Sequence, residues 1–404
     1  MAGEGARALP RDGGGVVFWR EVGHVGGLPF PVMSFADLYR QPDSISSPLM
    51  RRFARLISAK SDAELERMAG ESSAITKRNF GRAMRLFAPL YLSNECINTC
   101  AYCGFSRDNP IVRVTLEVEQ MAVEARHLAA EGFRNILLVA GEHPKFVSNG
   151  YLERCVRRLR EEMPSISLEV GPMETAEYLP MVAAGAEGLV VYQETYHRAT
   201  YAELHVAGPK KNFDWRLECP ERAYEAGFRR LGIGALFGLY EWEFEALALA
   251  RHLEYLLRHC WKAQLTVSLP RMRPAAGEFE PKYTLPNREY VQLVCALRLC
   301  FPQIGIVLST REPAALRDAM IPLGITMMSA GSHTEPGGYT GQGKEALHLT
   351  VKGRAVAETG GAEAATGQFD IADERSAGEI AGVLRARGYE AVWKDWDVAI
   401  LDND

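Results

Sequence analysis

"LFAPLYLSNECINTCAYCGFS", residues 86–106, begins as an apolar run and ends as a thiol-rich loop. Cys96, Cys100 and Cys103 fall close together, and the next cysteine is Cys155. Residues 86–93 have the length and apolarity of a buried strand, so the cysteines leave the C-terminal end of a strand. Seven further runs follow: "NILLVA" (135–140), "ISLEV" (166–170), "GLVVYQ" (188–193), "RLGIGALFG" (230–238), "QLTVSL" (264–269), "GIVLST" (305–310) and "ITMMSA" (325–330). Amphipathic stretches such as "LEVEQMAVEARHLAAEG" and "EFEALALARHLEYLLRHC" separate most of them. Strand alternating with helix implies an α/β protein with a parallel sheet, and eight such units imply a closed (β/α)8 TIM-type barrel. A doubly wound open sheet is the other architecture compatible with the pattern.

The barrel core is expected over residues 81–335. Residues 1–80 read as an N-terminal helical extension, carried by "FADLYRQP", "LMRRFARLISAK" and "SDAELERMAGESSAITKRNF". Ser61 with Glu64 three residues on forms a capping box and starts a helix there. Residues 336–404 form a C-terminal segment. Within it, about 340–367 is an insertion rich in Gly, Ala, Thr and charge, which reads as a mobile, solvated surface loop.

Composition excludes several classes. The 404 residues are 47% hydrophobic and 24% charged with a net charge of −5, as in soluble globular proteins. No basic block points to nucleic acid, and no apolar stretch is long enough to cross a membrane. The N-terminus lacks a basic start followed by an apolar run, so a cytoplasmic location is expected. Eight cysteines are too sparse for a disulfide scaffold. In a reducing compartment, a tight thiol cluster holds metal or does chemistry.

A C-x3-C-x2-C segment can hold three corners of one 4Fe–4S cluster and leave the fourth iron open for substrate chemistry. Structural zinc is the rival, but it wants four ligands, and no further His or Cys lies nearby to complete the set; His127 is remote in sequence, although folding could bring it close. Cys155, Cys219, Cys260, Cys295 and Cys300 sit singly on apolar or helical segments and read as core. At the other strand ends stand Glu142, Gln193, Glu194, Arg271, Arg273, Arg311 and Ser329, where a barrel gathers its catalytic groups. Gly232 and Gly234 either let a flat ring approach the fifth strand or pack against its neighbour.

The cysteine triad, with an aromatic at Tyr102 before its last thiol, resembles the radical S-adenosylmethionine (SAM) enzymes. "PLYLSNECINTCAYCGFS", "VYQETYH", "GPKK", "FDWRLE", "LGIGALFGL", "SLPRMRP", "LSTRE", "PGGY" and "WKDWD" follow in an order that resembles the aromatic amino acid lyases of that superfamily. The resemblance covers roughly residues 80–400 and is nearest the tyrosine lyases of thiazole biosynthesis. Tryptophan lyases and the tyrosine lyases that mature hydrogenase share much of it. The latter carry further C-terminal cysteines for a second cluster, whereas here none follows Cys300.

The resemblance implies one 4Fe–4S cluster on Cys96, Cys100 and Cys103, with SAM chelated at the open iron and consumed as cosubstrate. An external reductant, a flavodoxin- or ferredoxin-type donor, supplies the electron. Tyr102 and Glu142 would meet the cofactor, one of Gln193 and Glu194 its ribose, and Arg216 its carboxylate or else the surface. Arg311 and Ser329 would hold the carboxylate of L-tyrosine; a rim ion pair of Arg311 with Glu312 or Asp318 is the alternative. Arg271 and Arg273 lie two apart on an extended segment, so both could enter the cavity. The implied reaction cleaves the Cα–Cβ bond of L-tyrosine into 2-iminoacetate (dehydroglycine) and p-cresol, for the thiazole moiety of thiamine. The implied partners are thiazole synthase and its sulfur-carrier protein. A non-enzymatic iron–sulfur electron carrier is the alternative from another class; it needs neither an open iron nor a cavity.

Overall fold

Strand β1 (Ala83–Ser93) shows why this sequence closes on itself. Leu86, Ala88, Leu90 and Leu92 are buried in the main core with the surrounding helices. The alternate residues Phe87, Pro89 and Tyr91 line a cavity, as a period of two requires. The computed structural model describes residues 47–356 and 361–393. β1 is followed by β2 (Asn135–Ala140), β3 (Ser165–Glu169), β4 (Gly188–Val190), β5 (Arg230–Gly234), β6 (Gln264–Ser268), β7 (Gly305–Leu308) and β8 (Met327–Ser329). Each pairs in parallel with the next, and β8 returns to β1 with Arg85 opposite Met327. The ring is therefore a closed eight-stranded parallel barrel, with the strands where the sequence places them.

Helices cover the outside. Val118–Ala130, Trp242–His259 and Asn287–Cys300 present buried apolar faces to the strands. The five solitary cysteines are buried, as expected. The helices Pro48–Ile57 and Asp62–Phe80 lie against Asn287–Cys300. There the Gln292 amide donates to the Leu56 and Ser58 carbonyls at 2.8 and 2.6 Å. Ser61 and Glu64 form the expected capping box. "FADLYRQP" and all but the first residue of "WKDWD" lie outside the described residues. Helix Ala377–Ala386 and strand Glu390–Val392 complete the C-terminal segment, and that strand pairs in parallel with β1.

The insertion corrects the sequence reading. It is not a solvated loop throughout: His348–Val351 and Arg354–Val356 form a hairpin, and His348–Val351 pairs antiparallel with Ile111–Arg113. Lys352 and Gly353 both have positive φ, 50° and 72°, as a two-residue type I′ turn demands. "LTVKGRAV" thus carries a hairpin signal that the glycine- and alanine-rich flank hides.

Candidate active site

The cysteine loop is shaped by buried hydrogen bonds. Arg113, 1% exposed, donates to the carbonyls of Asn94, Phe105 (3.1 Å) and Ser106 (2.8 Å) and to Thr350 Oγ1 (2.6 Å). The Ile97 amide donates to the Glu142 carbonyl at 2.9 Å, joining the loop to the end of β2. That approach needs Gly141, because a Cβ there would lie 2.3 Å from the Glu95 carbonyl oxygen.

Cys96, Cys100 and Cys103 line one cavity with Asn98, Glu142, Glu194, Lys210 and Arg216. Burial pushes the Cys100 and Cys103 thiols up, so they need a metal to draw off their protons. The Asn98 amide lies 3.6 Å from Cys96 Sγ and 2.7 Å from a Glu142 oxygen. Among the described residues, no three His, Cys, Asp or Glu side chains converge closely enough for a single metal ion. His127 lies elsewhere, beside Tyr339. Three thiols spread around a cavity fit the corners of an iron–sulfur cube better than a closed zinc site.

Opposite the thiols, charge is paired. Glu194, at φ 71°, holds Lys210 Nζ at 2.7 Å and Arg216 Nη2 at 3.3 Å. Burial raises its pKa, but Lys210 and Arg216 outweigh burial and hold the carboxyl below the usual range. Arg216 also donates to the Tyr192 carbonyl at 2.6 Å. Gln193 instead donates to the Phe213 carbonyl at 3.2 Å, so Glu194 is the one of that pair facing the cavity. The Tyr102 hydroxyl meets His205 Nε2 at 2.8 Å, and Lys210 Nζ sits over its ring at 5.6 Å. Gly232 and Gly234 do not line this cavity. A Cβ on Gly232 would lie 2.9 Å from a Val190 methyl, and one on Gly234 2.7 Å from the Tyr192 ring. Close packing against Val190 of β4 accounts for Gly232, and against Tyr192, just past β4, and the Ser268 carbonyl of β6 for Gly234.

A second cavity opens inside the barrel mouth, lined by Tyr91, Glu169, Tyr192, Arg311, Ser329 and Phe369 among others. The Arg311 guanidinium lies 3.3 Å from the centre of the Phe369 ring. Its rim partners are taken: Arg271 pairs with Glu312, and Arg375 with Asp318 at 2.9 Å. No hydrogen bond joins the guanidinium to a described residue, and burial lowers its pKa. Ser329 Oγ accepts the Thr310 amide at 3.0 Å, leaving its own hydrogen for the cavity. Arg271 and Arg273 line neither cavity. The expectation that both could enter fails for Arg271, because buried Glu312, the Leu285 carbonyl and Asn287 hold it over the Tyr290 ring.

Several site residues have no strong sequence signal. Lys210 lies within "GPKK" but looks like a surface lysine. Glu169, Val139 and Gln368 line both cavities. Burial, and then Glu194, push the Glu169 carboxyl up to about 7 against the pull of Arg311, Arg216 and Lys210. Gln368 comes from the C-terminal segment and receives the Tyr91 hydroxyl at 2.8 Å. That segment is tied across the mouth by the Asp370 amide to the Pro274 carbonyl and the Ala372 amide to the Thr310 carbonyl, each 2.9 Å.

A barrel whose first strand delivers a three-thiol loop into a charged cavity defines a radical SAM enzyme. The Radical SAM superfamily model matches residues 90–250, and the Biotin and Thiamin Synthesis associated domain matches residues 268–390. The chain is 40% identical over 343 residues to 2-iminoacetate synthase of Escherichia coli (strain K12), covering 85% of this chain and 86% of that protein. The 2-iminoacetate synthase of Salmonella typhimurium is 38% identical with the same coverage. The X-ray structure of the FeFe-hydrogenase maturase HydG from Carboxydothermus hydrogenoformans matches with TM-score 0.76 at 33% identity, covering 89% of this chain and 79% of that one. The chain belongs to the 2-iminoacetate synthase family of radical SAM enzymes. No helix among the described residues is long and apolar enough to cross a membrane.

Proposed function

We propose that this protein cleaves the Cα–Cβ bond of L-tyrosine to 2-iminoacetate and p-cresol, using one 4Fe–4S cluster with an open iron, SAM and an external reductant. One observation carries the reading. The three-thiol cavity and a cavity whose arginine has no hydrogen-bonded partner among the described residues share a wall, so a cofactor and an amino acid can lie side by side. When bound on Cys96, Cys100 and Cys103, the cluster with SAM would supply radical chemistry, the means of removing a hydrogen atom from the substrate.

The chain's own residues do the rest. Cys96, Cys100 and Cys103 hold the cluster. Glu142 would receive the SAM ammonium, Arg216 and Lys210 would take its carboxylate and Glu194 its ribose, with Tyr102 as backing. Arg311 binds the tyrosine carboxylate as a fork, and the Ser329 hydroxyl donates to it. Glu169, at the shared wall, accepts an N–H of the amino group and takes up its proton near neutral pH. The 366–373 segment covers the mouth and keeps water from the hydrolysable imine product. Thiazole synthase with its sulfur-carrier protein would receive that product.

Product analysis tests the reading. The reconstituted, reduced protein with SAM should yield p-cresol from L-tyrosine and no indole product from L-tryptophan. Indole products without p-cresol would move the chain to the tryptophan lyases.

A further inference from the structure

The hairpin His348–Val356 lines neither substrate nor cofactor cavity, yet it is fixed to the cysteine loop. Arg113 joins Thr350 to three carbonyls of that loop. Glu95, the residue before Cys96, is buried, and its Oε1 lies 2.8 Å from His348 Nε2. The His348 ring lies 6.5 Å from Phe146, which carries Lys145 over its own ring at 5.3 Å. At the turn, a Cβ on Gly353 would sit 2.5 Å from Arg107 Nε, so Arg107 lies across the turn. The hairpin exposes Lys352 and Arg354 together with Val351 and Val356, themselves 38% and 40% exposed; Arg107 is exposed across its turn, and Lys145 is exposed beyond Phe146, on the His348 side. None of these four cations has a carboxylate partner among the described residues. Asp108, the acid next to Arg107 in sequence, lies 3.5 Å from Thr99 Oγ1. This basic patch stands out on a chain of net charge −5.

We propose that the patch docks a small acidic one-electron carrier that reduces the cluster. This rests on Cys96, Cys100 and Cys103 being ligands of a redox cluster. One electron leaves the carrier's reduced flavin or iron–sulfur centre and enters the cluster; no bond forms or breaks. Opposite charge around a small apolar centre steers encounter, and the hairpin, joined to the cysteine loop through Arg113, brings the carrier beside the loop that holds the ligands.

The test compares two reductants of the reconstituted protein, a reduced flavodoxin and dithionite, by the rate of cluster reduction. With flavodoxin, raising salt from about 0.05 to about 0.5 M should slow reduction roughly tenfold, because screening weakens steering. The variant K352E/R354E should be slowed by about the same factor at low salt. Dithionite should reduce it within about twofold of the wild-type rate, since a small reductant needs no docking face. K352R/R354K should behave as wild type with both reductants. Flavodoxin rates that ignore both salt and charge reversal would overturn the proposal. Should K352E/R354E load less iron, K352E alone, at the exposed turn, decides by the same comparison. A wild-type protein that dithionite cannot reduce, or that holds no iron, defeats the ligand reading itself, so the two failures are told apart.

Discussion

The two cavities share Glu169, Val139 and Gln368 and treat charge in opposite ways. In the cysteine cavity the charges are cross-linked before anything binds: Lys210 and Arg216 on Glu194, Asn98 on Glu142. In the barrel mouth, Arg311 stands on an aromatic ring with its fork unmatched among the described residues, while Arg271 nearby is fully engaged by Glu312. A prearranged network suits a zwitterionic cofactor that must lie in one pose. A single unmatched guanidinium suits the carboxylate of an amino acid, and the cost of burying it alone is recovered only when that ligand arrives.

The largest expected effect separates the clustered from the solitary thiols. Replacing any of Cys96, Cys100 or Cys103 by alanine should abolish SAM cleavage and strip the cluster. Alanine at any of the five buried cysteines should leave about four iron per chain, the content of one cube. Iron and sulfide analysis with the spectrum of the reduced protein checks both. Next, Lys210→Ala removes one of two cations on Glu194. SAM binding should weaken roughly tenfold, the range of one charge-assisted bond, as equilibrium dialysis would show. Arg271→Ala should act on stability rather than chemistry. Leaving Glu312 buried and unpaired costs about 3 kcal/mol, read by denaturant unfolding, with the yield of p-cresol per folded chain little changed.

The smallest effect concerns pH. The Glu169 carboxyl is raised to about 7, so kcat/KM for tyrosine should rise a few-fold as pH passes upward through that value and Glu169 loses its proton. Glu169→Gln should flatten that limb. The same raised carboxyl favours the folded chain at low pH, so its contribution to stability is lost as pH rises from the ordinary glutamate range through about 7.

Much of this was legible in sequence. All eight strands show as apolar runs, since barrel strands are buried on both faces. The thiol triad is a local pattern and needs no fold to be read. The signals fail where partners come from far along the chain. Glu169 looks like any polar residue ending a strand, and only closure of the barrel sets it between Arg311 and Glu194. Gln368 reaches the site from a segment that composition marks as loop. Arg271 and Arg311 look equivalent at two strand ends. What separates them is Glu312, next to Arg311 in sequence, whose side chain turns to the neighbouring strand end and captures Arg271. The hairpin 348–356 was missed because its turn is flanked by glycine and alanine.

The claim that the two cavities have separate duties is tested most directly by Arg311→Ala, with 5′-deoxyadenosine and p-cresol measured in the same reaction. An alignment error of ~1 Å can cost about a hundredfold in rate. The variant should therefore lose p-cresol by about that factor while still binding SAM and forming 5′-deoxyadenosine without coupled product. Arg311→Lys, which keeps the charge and loses the fork, should also be impaired. Normal p-cresol formation in Arg311→Ala, or loss of SAM binding together with p-cresol, would contradict the division.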